Sequence, residues 1–264
     1  MKKNVIQVIS PAPVLNIADF REAFGGKDGT QIPKNAQGHP LHYEFVALPG
    51  MRFNLEEVLP RHHHCIYRIS TKLYPSPKLY IDSRFTRPAG EEEDFLTLPS
   101  FPKPSEILGR MEKLVGTNYV WGGNWSAGIS ELLHYYPPQG SIDEKTKIHW
   151  TLQGVDCSGL LYEATGGLTP RNTTELIRYG HAVRIEGRSP GELFSRLRPL
   201  DLVVWPGHVW FVFDSIHSIE SKSPFGVIKR DLLERLEETC STRSGVNAWA
   251  SSLDPEKHFV VRRI

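Results

Sequence analysis

The stretch VDCSGLL places Cys157 between a carboxylate, Asp156, and a hydroxyl, Ser158. Leu160, Leu161 and Ala164 follow at helical spacing and Gly166 and Gly167 end the run, so Cys157 is expected at the start of a short helix. There the unpaired N–H groups and the positive end of the helix dipole favour a thiolate. Far along the chain, His208 opens the apolar run HVWFVF just after Pro206 and Gly207, a position that suits projection from a strand better than packing. A thiol and an imidazole brought together from distant points are the minimal pair for thiol catalysis, in which the imidazole takes the thiol proton and later returns it to the leaving amine. Spacing alone leaves a blander reading open. With 3 cysteines and 11 histidines many such pairs exist, and a small semi-apolar residue packs readily at a helix start.

The elements that must hold these residues are legible in the second half of the chain. SEILGRMEKLVG sets Ile107, Leu108, Met111, Leu114 and Val115 on one helical face, with Ser105 as N-cap and Gly116 as stop. NTTELIRYG predicts a second helix, with Asn172 as cap, Glu175 three residues on and Gly180 as terminator. After a short helix in GELFSRL come two strand patterns, LDLVVW and HVWFVFD. Helices before strands predict an α+β domain with an antiparallel sheet.

The first half has another texture. Short β-rich pieces, NVIQVI, YEFVAL, CIYRIS and KLYID, are separated by Pro, Gly and Asn clusters, as in a small barrel or sandwich. TRPAGEEEDFLTLPSFPKP, Pro-rich with an acidic run, interrupts the pattern as an interdomain connection would. The expected division is 1–100 and 101–264.

YVWGG, VDCSGL, TPRNT, LRPLDLVVW and GHVWFVF come in the order and character of the NlpC/P60 family of papain-like cysteine peptidases. The second half resembles that family over roughly residues 105–235. The resemblance implies a catalytic helix packed on an antiparallel sheet, with Cys157 as nucleophile and His208 as general base. It also implies a polar residue, usually a histidine, on the strand after GHV that orients the imidazole. Here SIHSIESK offers His217 and Glu220, three apart and so on opposite faces of a strand. If the candidate faces His208 in a hairpin, Glu220 centres the turn on Asp214 beside Ser215, both good turn formers, whereas His217 would centre it on Val212 and Phe213. Glu220 is therefore expected as the third catalytic member, a departure from the usual family residue.

By the same resemblance the substrate is a peptidoglycan stem peptide, cut between γ-D-glutamate and a diamino acid. Asp156 and Ser158 would hold the free amine of an N-terminal L-Ala, although capping the helix also suits Asp156. Tyr119, the tyrosine of the Y-x-W-G-G motif, would help stabilise the oxyanion beside the Cys157 N–H, and Trp121 would pack. Arg171 would pair with a substrate carboxylate or serve as a structural ion-pair partner. Asn172 and Thr173 would contribute substrate contacts or cap the next helix. Residues 124–154 are longer than the family usually carries, and would either fold over the cleft or form an inert surface excursion. The first half weakly resembles the SH3-like domains that precede such peptidases and restrict them to trimmed peptides. RHHHC reads as a metal cluster, but neighbours on a strand alternate faces, so no metal is expected.

Composition limits the remaining classes. The 264 residues are 39% hydrophobic, enough for one large core or two modest ones. A net charge of +1 offers no field for nucleic acid or an anionic membrane. Two prolines and polar residues break the N-terminal apolar run before a signal sequence could form, so a cytoplasmic location is expected. Cys65, Cys157 and Cys240 are too far apart for a CxxC site and odd in number, so they read as free thiols. No cofactor is implied and the oligomeric state is open. An amidase or acyltransferase of the same fold, or a non-catalytic wall-peptide binding module, are the alternative functions.

Overall fold

The computed structural model describes residues 4–74, 76–89 and 100–264. Most of the expected connection, including its acidic run, lies outside the described residues. The chain divides into two compact units, Met1–Ser100 with Val120–Val155 and Phe101–Tyr119 with Asp156–Ile264.

The first unit is built around a seven-stranded antiparallel sheet. Its strands are β1 (Val5–Val8), β2 (Ala12–Leu15), β3 (Tyr43–Ala47), β4 (Arg52–Pro60), β5 (Cys65–Ser70), β6 (Leu79–Asp82) and β7 (Thr86–Ala89), in the order β3-β2-β6-β5-β4-β1-β7. The β-branched and aromatic pieces supply the buried face: Ile6 and Val8 alternate inward along β1, and Phe45, Ile66, Ile69, Leu79 and Ile81 join them in one core. Arg61 N–H bonds the His64 carbonyl, so the RHHH residues sit in the turn between β4 and β5 and not on a strand as expected. His62 and His63 stack there with ring centroids 4.1 Å apart.

Val120–Val155 belongs to this unit and not to the second domain, where the expected division at residue 101 puts it. β8 (Asn124–Trp125) pairs with β9 (Gly154–Val155) and closes the segment at its neck. The buried Asn124 amide exchanges two hydrogen bonds with the backbone of Val46, at 2.8 and 2.9 Å. Ile129, Leu132, Tyr136, Trp150 and Leu152 are buried with Phe20, Phe24, Tyr43 and Phe45 in the same core. The segment is thus no inert excursion; its aromatic content is core material.

The second unit packs helices on a second sheet. The strands are β10 (His181–Val183), β11 (Asp201–Trp205), β12 (His208–Val212), β13 (His217–Lys222), β14 (Gly226–Asp231), β15 (Ser244–Gly245) and β16 (His258–Arg263). Their order is β10-β16-β11-β12-β13-β14, antiparallel throughout, with β15 joining β16 in parallel. The helices are α1 (Pro104–Lys113), α2 (Cys157–Ala164), α3 (Thr173–Leu176), α4 (Pro190–Phe194) and α5 (Leu232–Thr242). α1 starts two residues earlier than expected, with Lys103 and not Ser105 as its N-cap. Pro104 is suited to the first helical position, and the Glu106 carboxylate accepts the Lys103 N–H at 3.2 Å. Ile107 and Met111 are fully buried, whereas Val115, beyond the helix end, is 43% exposed. A mixed α/β unit with an antiparallel sheet is what the helix-then-strand order predicts. β14, α5 and β16 are additions to it.

No helix among the described residues is long and apolar enough to cross a membrane.

Candidate active site

Cys157 is the first residue of α2, whose N-cap is Asp156; the Asp156 Oδ1 accepts the Gly159 N–H at 2.7 Å. Leu160, Leu161 and Ala164 bury the rest of the helix, so apolar packing fixes its axis and thereby the position of the thiol. The thiol is itself buried, and the backbone N–H groups of Val209 and Ser158 act on it as hydrogen-bond donors, which places it near the start of β12. The expected thiolate at a helix start does not hold for the resting protein. Burial first, and then the charge of Asp156, push the thiol up to about 12, against the smaller lowering by those N–H groups and Arg171. The proton must therefore be taken by a neighbouring base as the sulfur attacks.

His208 is positioned by a two-residue turn. Trp205 pairs with His208 across the β11–β12 hairpin, leaving Pro206 and Gly207 at its centre. Gly207 has φ of 104°, a conformation that only glycine adopts without strain, and Pro206 presets the residue before it. The Gly207 N–H donates to Thr173 Oγ1 at 3.0 Å. Thr173, expected at the substrate, is buried and braces the turn that carries His208.

His208 Nε2 lies 2.8 Å from Glu220 Oε2, and Glu220 is fully buried on β13. The pairing register is not the one expected. Phe211 faces Ile219 and Val212 faces Ser218, which centres the turn on Ser215 instead of Asp214. That change moves the partner by two residues, an even number, so Glu220 stays on the face of His208 as its diagonal neighbour. His217 falls on the other face, half-exposed, with Nδ1 2.9 Å from Asp214 Oδ2.

Behind Glu220 stands a residue that the motifs did not reveal. Arg235 on α5 donates Nε to Glu220 Oε1 at 2.9 Å and Nη2 to Oε2 at 3.0 Å, and its side chain is 4% exposed. Burial alone would raise the Glu220 carboxyl. The hydrogen bond to His208 and the Arg235 charge outweigh burial and hold it at about 2. An ionised carboxylate is an acceptor only, so His208 Nε2 is the donor of this hydrogen bond. A signal for Arg235 existed in LLERLEETC, where it shares the buried face of α5 with Leu232, Leu236 and Thr239: an arginine on an apolar stripe needs a buried anion.

A second buried pair holds the other side of the cysteine. Arg171 Nη1 and Nη2 donate to Asp156 Oδ1 and Oδ2 at 3.0 and 2.6 Å, and Nη1 also reaches Ser158 Oγ at 2.9 Å. Of the two roles expected for Arg171, the geometry shows the structural ion pair. Asp156 and Ser158 are brought together as expected, bonded to each other at 3.1 Å. The Tyr119 hydroxyl is pushed well up, by burial first and then by the nearby Asp156 and Cys157, so it remains a donor beside the thiol. Asn172 is the N-cap of α3 by backbone conformation, without a side-chain cap bond.

The described residues contain no group of three or more His, Cys, Asp or Glu able to hold a metal. All three cysteines are free.

No family model matches the sequence, and no curated protein matches it. Among solved structures, an NlpC/P60 family protein from Bacillus cereus is 16% identical with a TM-score of 0.36, over 99% of this chain and 63% of that one. This chain thus spans less than two thirds of that protein's length. RipD from Mycobacterium tuberculosis, described as a non-catalytic NlpC/P60 domain protein adapted to peptidoglycan binding, is 15% identical with a TM-score of 0.36, over 61% of this chain and 96% of that one. The P60 domain of a Mycobacterium avium paratuberculosis antigen is 15% identical with a TM-score of 0.33, over 61% and 92%.

Proposed function

We propose that the protein is a cysteine endopeptidase that hydrolyses the γ-D-glutamyl to diamino acid bond of peptidoglycan-derived peptides with an N-terminal L-Ala. The observation that carries the reading is the 2.8 Å contact between His208 Nε2 and the buried Glu220 carboxylate; a carboxylate that only accepts makes that nitrogen the donor and leaves Nδ1 as the base for the Cys157 proton. Sulfur attacks the γ-carbonyl as that proton moves to His208. The oxyanion meets the Cys157 N–H and the Tyr119 hydroxyl. His208 then protonates the leaving amine, the C–N bond breaks, and water, deprotonated by the same imidazole, releases L-Ala-D-Glu from the thioester. The oxygens of Asp156 and Ser158 hold the substrate amine while Arg171 fixes their orientation. In this reading the first unit is an SH3-like module, the enzyme works in the cytoplasm on free peptides, and no cofactor takes part.

The test is mass spectrometry of L-Ala-γ-D-Glu-meso-diaminopimelate incubated with wild type and with Cys157→Ala. Release of diaminopimelate by wild type alone is expected. Release by both proteins would remove the thiol from the mechanism, and turnover by wild type of a different amide only would replace the substrate.

A further inference from the structure

Glu220 is one oxygen short of serving two masters separately. Its Oε2 accepts from His208 Nε2 at 2.8 Å and from Arg235 Nη2 at 3.0 Å, while Oε1 accepts Arg235 Nε at 2.9 Å. The carboxylate that steadies the imidazole is therefore shared with a cation that never leaves it, since both side chains are buried. We infer that Arg235 is a positioning residue that acts through Glu220 to set the pH at which His208 takes up its proton.

The physical argument is one of charge balance in a poorly screened site. A lone carboxylate beside an imidazole stabilises the imidazolium, and so makes the base hold its proton too firmly to give neutral imidazole near neutral pH. A guanidinium on the far side of the carboxylate draws part of that charge and limits the effect. The two-point fork also fixes the carboxylate plane, so that Oε2 meets Nε2–H in one orientation. Arg235 is in turn anchored by Glu238 and Thr239 through Nη1, each at 3.2 Å, and stacks 5.4 Å from the Trp210 ring centroid.

The other charged groups around the base are accounted for. Arg230 on β14 stands 3.6 Å from Glu220 Oε1 but is bound to Glu238 and 29% exposed. Lys222, at the end of β13, faces Glu238 at 3.7 Å. On α2, Cys157 is kept neutral at rest by its burial and by the Asp156 charge, and Arg243 stands 4.3 Å over the ring of Trp205, which packs beside His208. Arg235 is thus the buried, directly bonded cation of the set, and the one whose loss His208 should feel.

The inference rests on the proposed role of His208 but its test uses no substrate. The His208 ring Cε1–H is titrated by NMR in the full chain, assigned by its loss in His208→Gln. Arg235→Met is expected to raise the midpoint by about one pH unit, Arg235→Lys to return it most of the way, and Arg230→Met to move it less. In a Glu220→Gln background, where no carboxylate links the two groups, Arg235→Met is expected to produce a clearly smaller rise, which a merely structural role would not predict. Removing both members of the pair leaves no orphaned buried charge, so the double variant and Arg235→Lys keep the test open if Arg235→Met does not fold. An unmoved midpoint in folded Arg235→Met, a midpoint in Arg235→Lys displaced as far as in Arg235→Met, or an equal rise without Glu220, would overturn the assignment. If His208 does not respond but the peptide is still cleaved, the positioning role falls and the peptidase stands; a response without cleavage has the opposite meaning.

Discussion

Two buried arginine–carboxylate pairs flank the cysteine and histidine, and they are alike in chemistry but not in consequence. Arg171 forks onto Asp156 within the segment that starts α2. Arg235 forks onto Glu220 from α5, an element well beyond the stretches that hold Cys157 and His208. In the first pair every partner is a helix cap or a neighbouring hydroxyl, so the ion pair fixes where the thiol sits. In the second, one carboxylate oxygen also accepts from the imidazole, so the ion pair fixes what the base does. A buried ion pair stabilises little by itself; what distinguishes the two is the third group each carboxylate touches.

Breaking the second pair should have the largest effect. Glu220→Ala leaves the buried Arg235 with only the part-exposed Glu238 as its anion and His208 without an acceptor, so kcat/KM should fall about 10²–10⁴-fold and stability by about 3–5 kcal/mol, read by peptide hydrolysis and denaturant unfolding. Glu220→Gln should retain part of the activity, because an amide oxygen can still accept the Nε2–H. The reverse pattern, full activity in Glu220→Ala and loss in His217→Ala, would move the orienting role to His217.

Breaking the first pair should separate stability from chemistry. Asp156→Ala removes the carboxylate onto which Arg171 forks and the helix cap, so it should cost about 3–5 kcal/mol, while raising KM more than it lowers kcat in protein folded at low temperature. A kcat loss as deep as that of Glu220→Ala would show that the two pairs do the same work.

Acid should distinguish them as well. Glu220 is held at about 2, below its ordinary 4.5, so its contribution to stability is complete above the ordinary value and drains away as pH falls towards the folded one. The melting-temperature gap between wild type and Glu220→Gln should be widest near neutrality and narrow through that acid window. A third pair offers the smallest effect. Arg263 forks onto the buried Asp201 between β16 and β11 at 2.6 and 2.7 Å, but is 32% exposed and remote from the imidazole network. Arg263→Ala should lower the melting temperature by a few degrees, on the order expected for about 1 kcal/mol, and leave kcat/KM at 25 °C unchanged.

Much of the site is written locally and so was legible. Asp156, Cys157 and Ser158 are consecutive, and the Pro206–Gly207 turn announces the strand that presents His208. The turn formers Asp214 and Ser215 pointed to Glu220 over His217, and although the turn centre lies one residue further on than expected, Glu220 stays on the face of His208 because the partner moves by an even number of residues. What was hidden depends on distance in sequence. Arg235 is written as one charge in an amphipathic helix and acquires meaning only when α5 packs on β13. The same holds for residues 120–155, whose aromatics look like an insertion until Trp150 and Tyr136 meet Phe20 and Phe24 in one core. The raised thiol was hidden for a third reason. A helix start favours a thiolate only if water or cations reach it, and the depth of burial is a property of the packed unit.

The central claim is that Cys157 carries the acyl group. Wild-type protein is mixed with L-Ala-γ-D-Glu-meso-diaminopimelate, quenched in acid within the first turnover, digested and analysed by mass spectrometry. The account predicts an L-Ala-γ-D-glutamyl adduct on the fragment bearing Cys157, and neither adduct nor cleavage in Cys157→Ala. Diaminopimelate release that persists in Cys157→Ala, with no adduct in wild type, would contradict it.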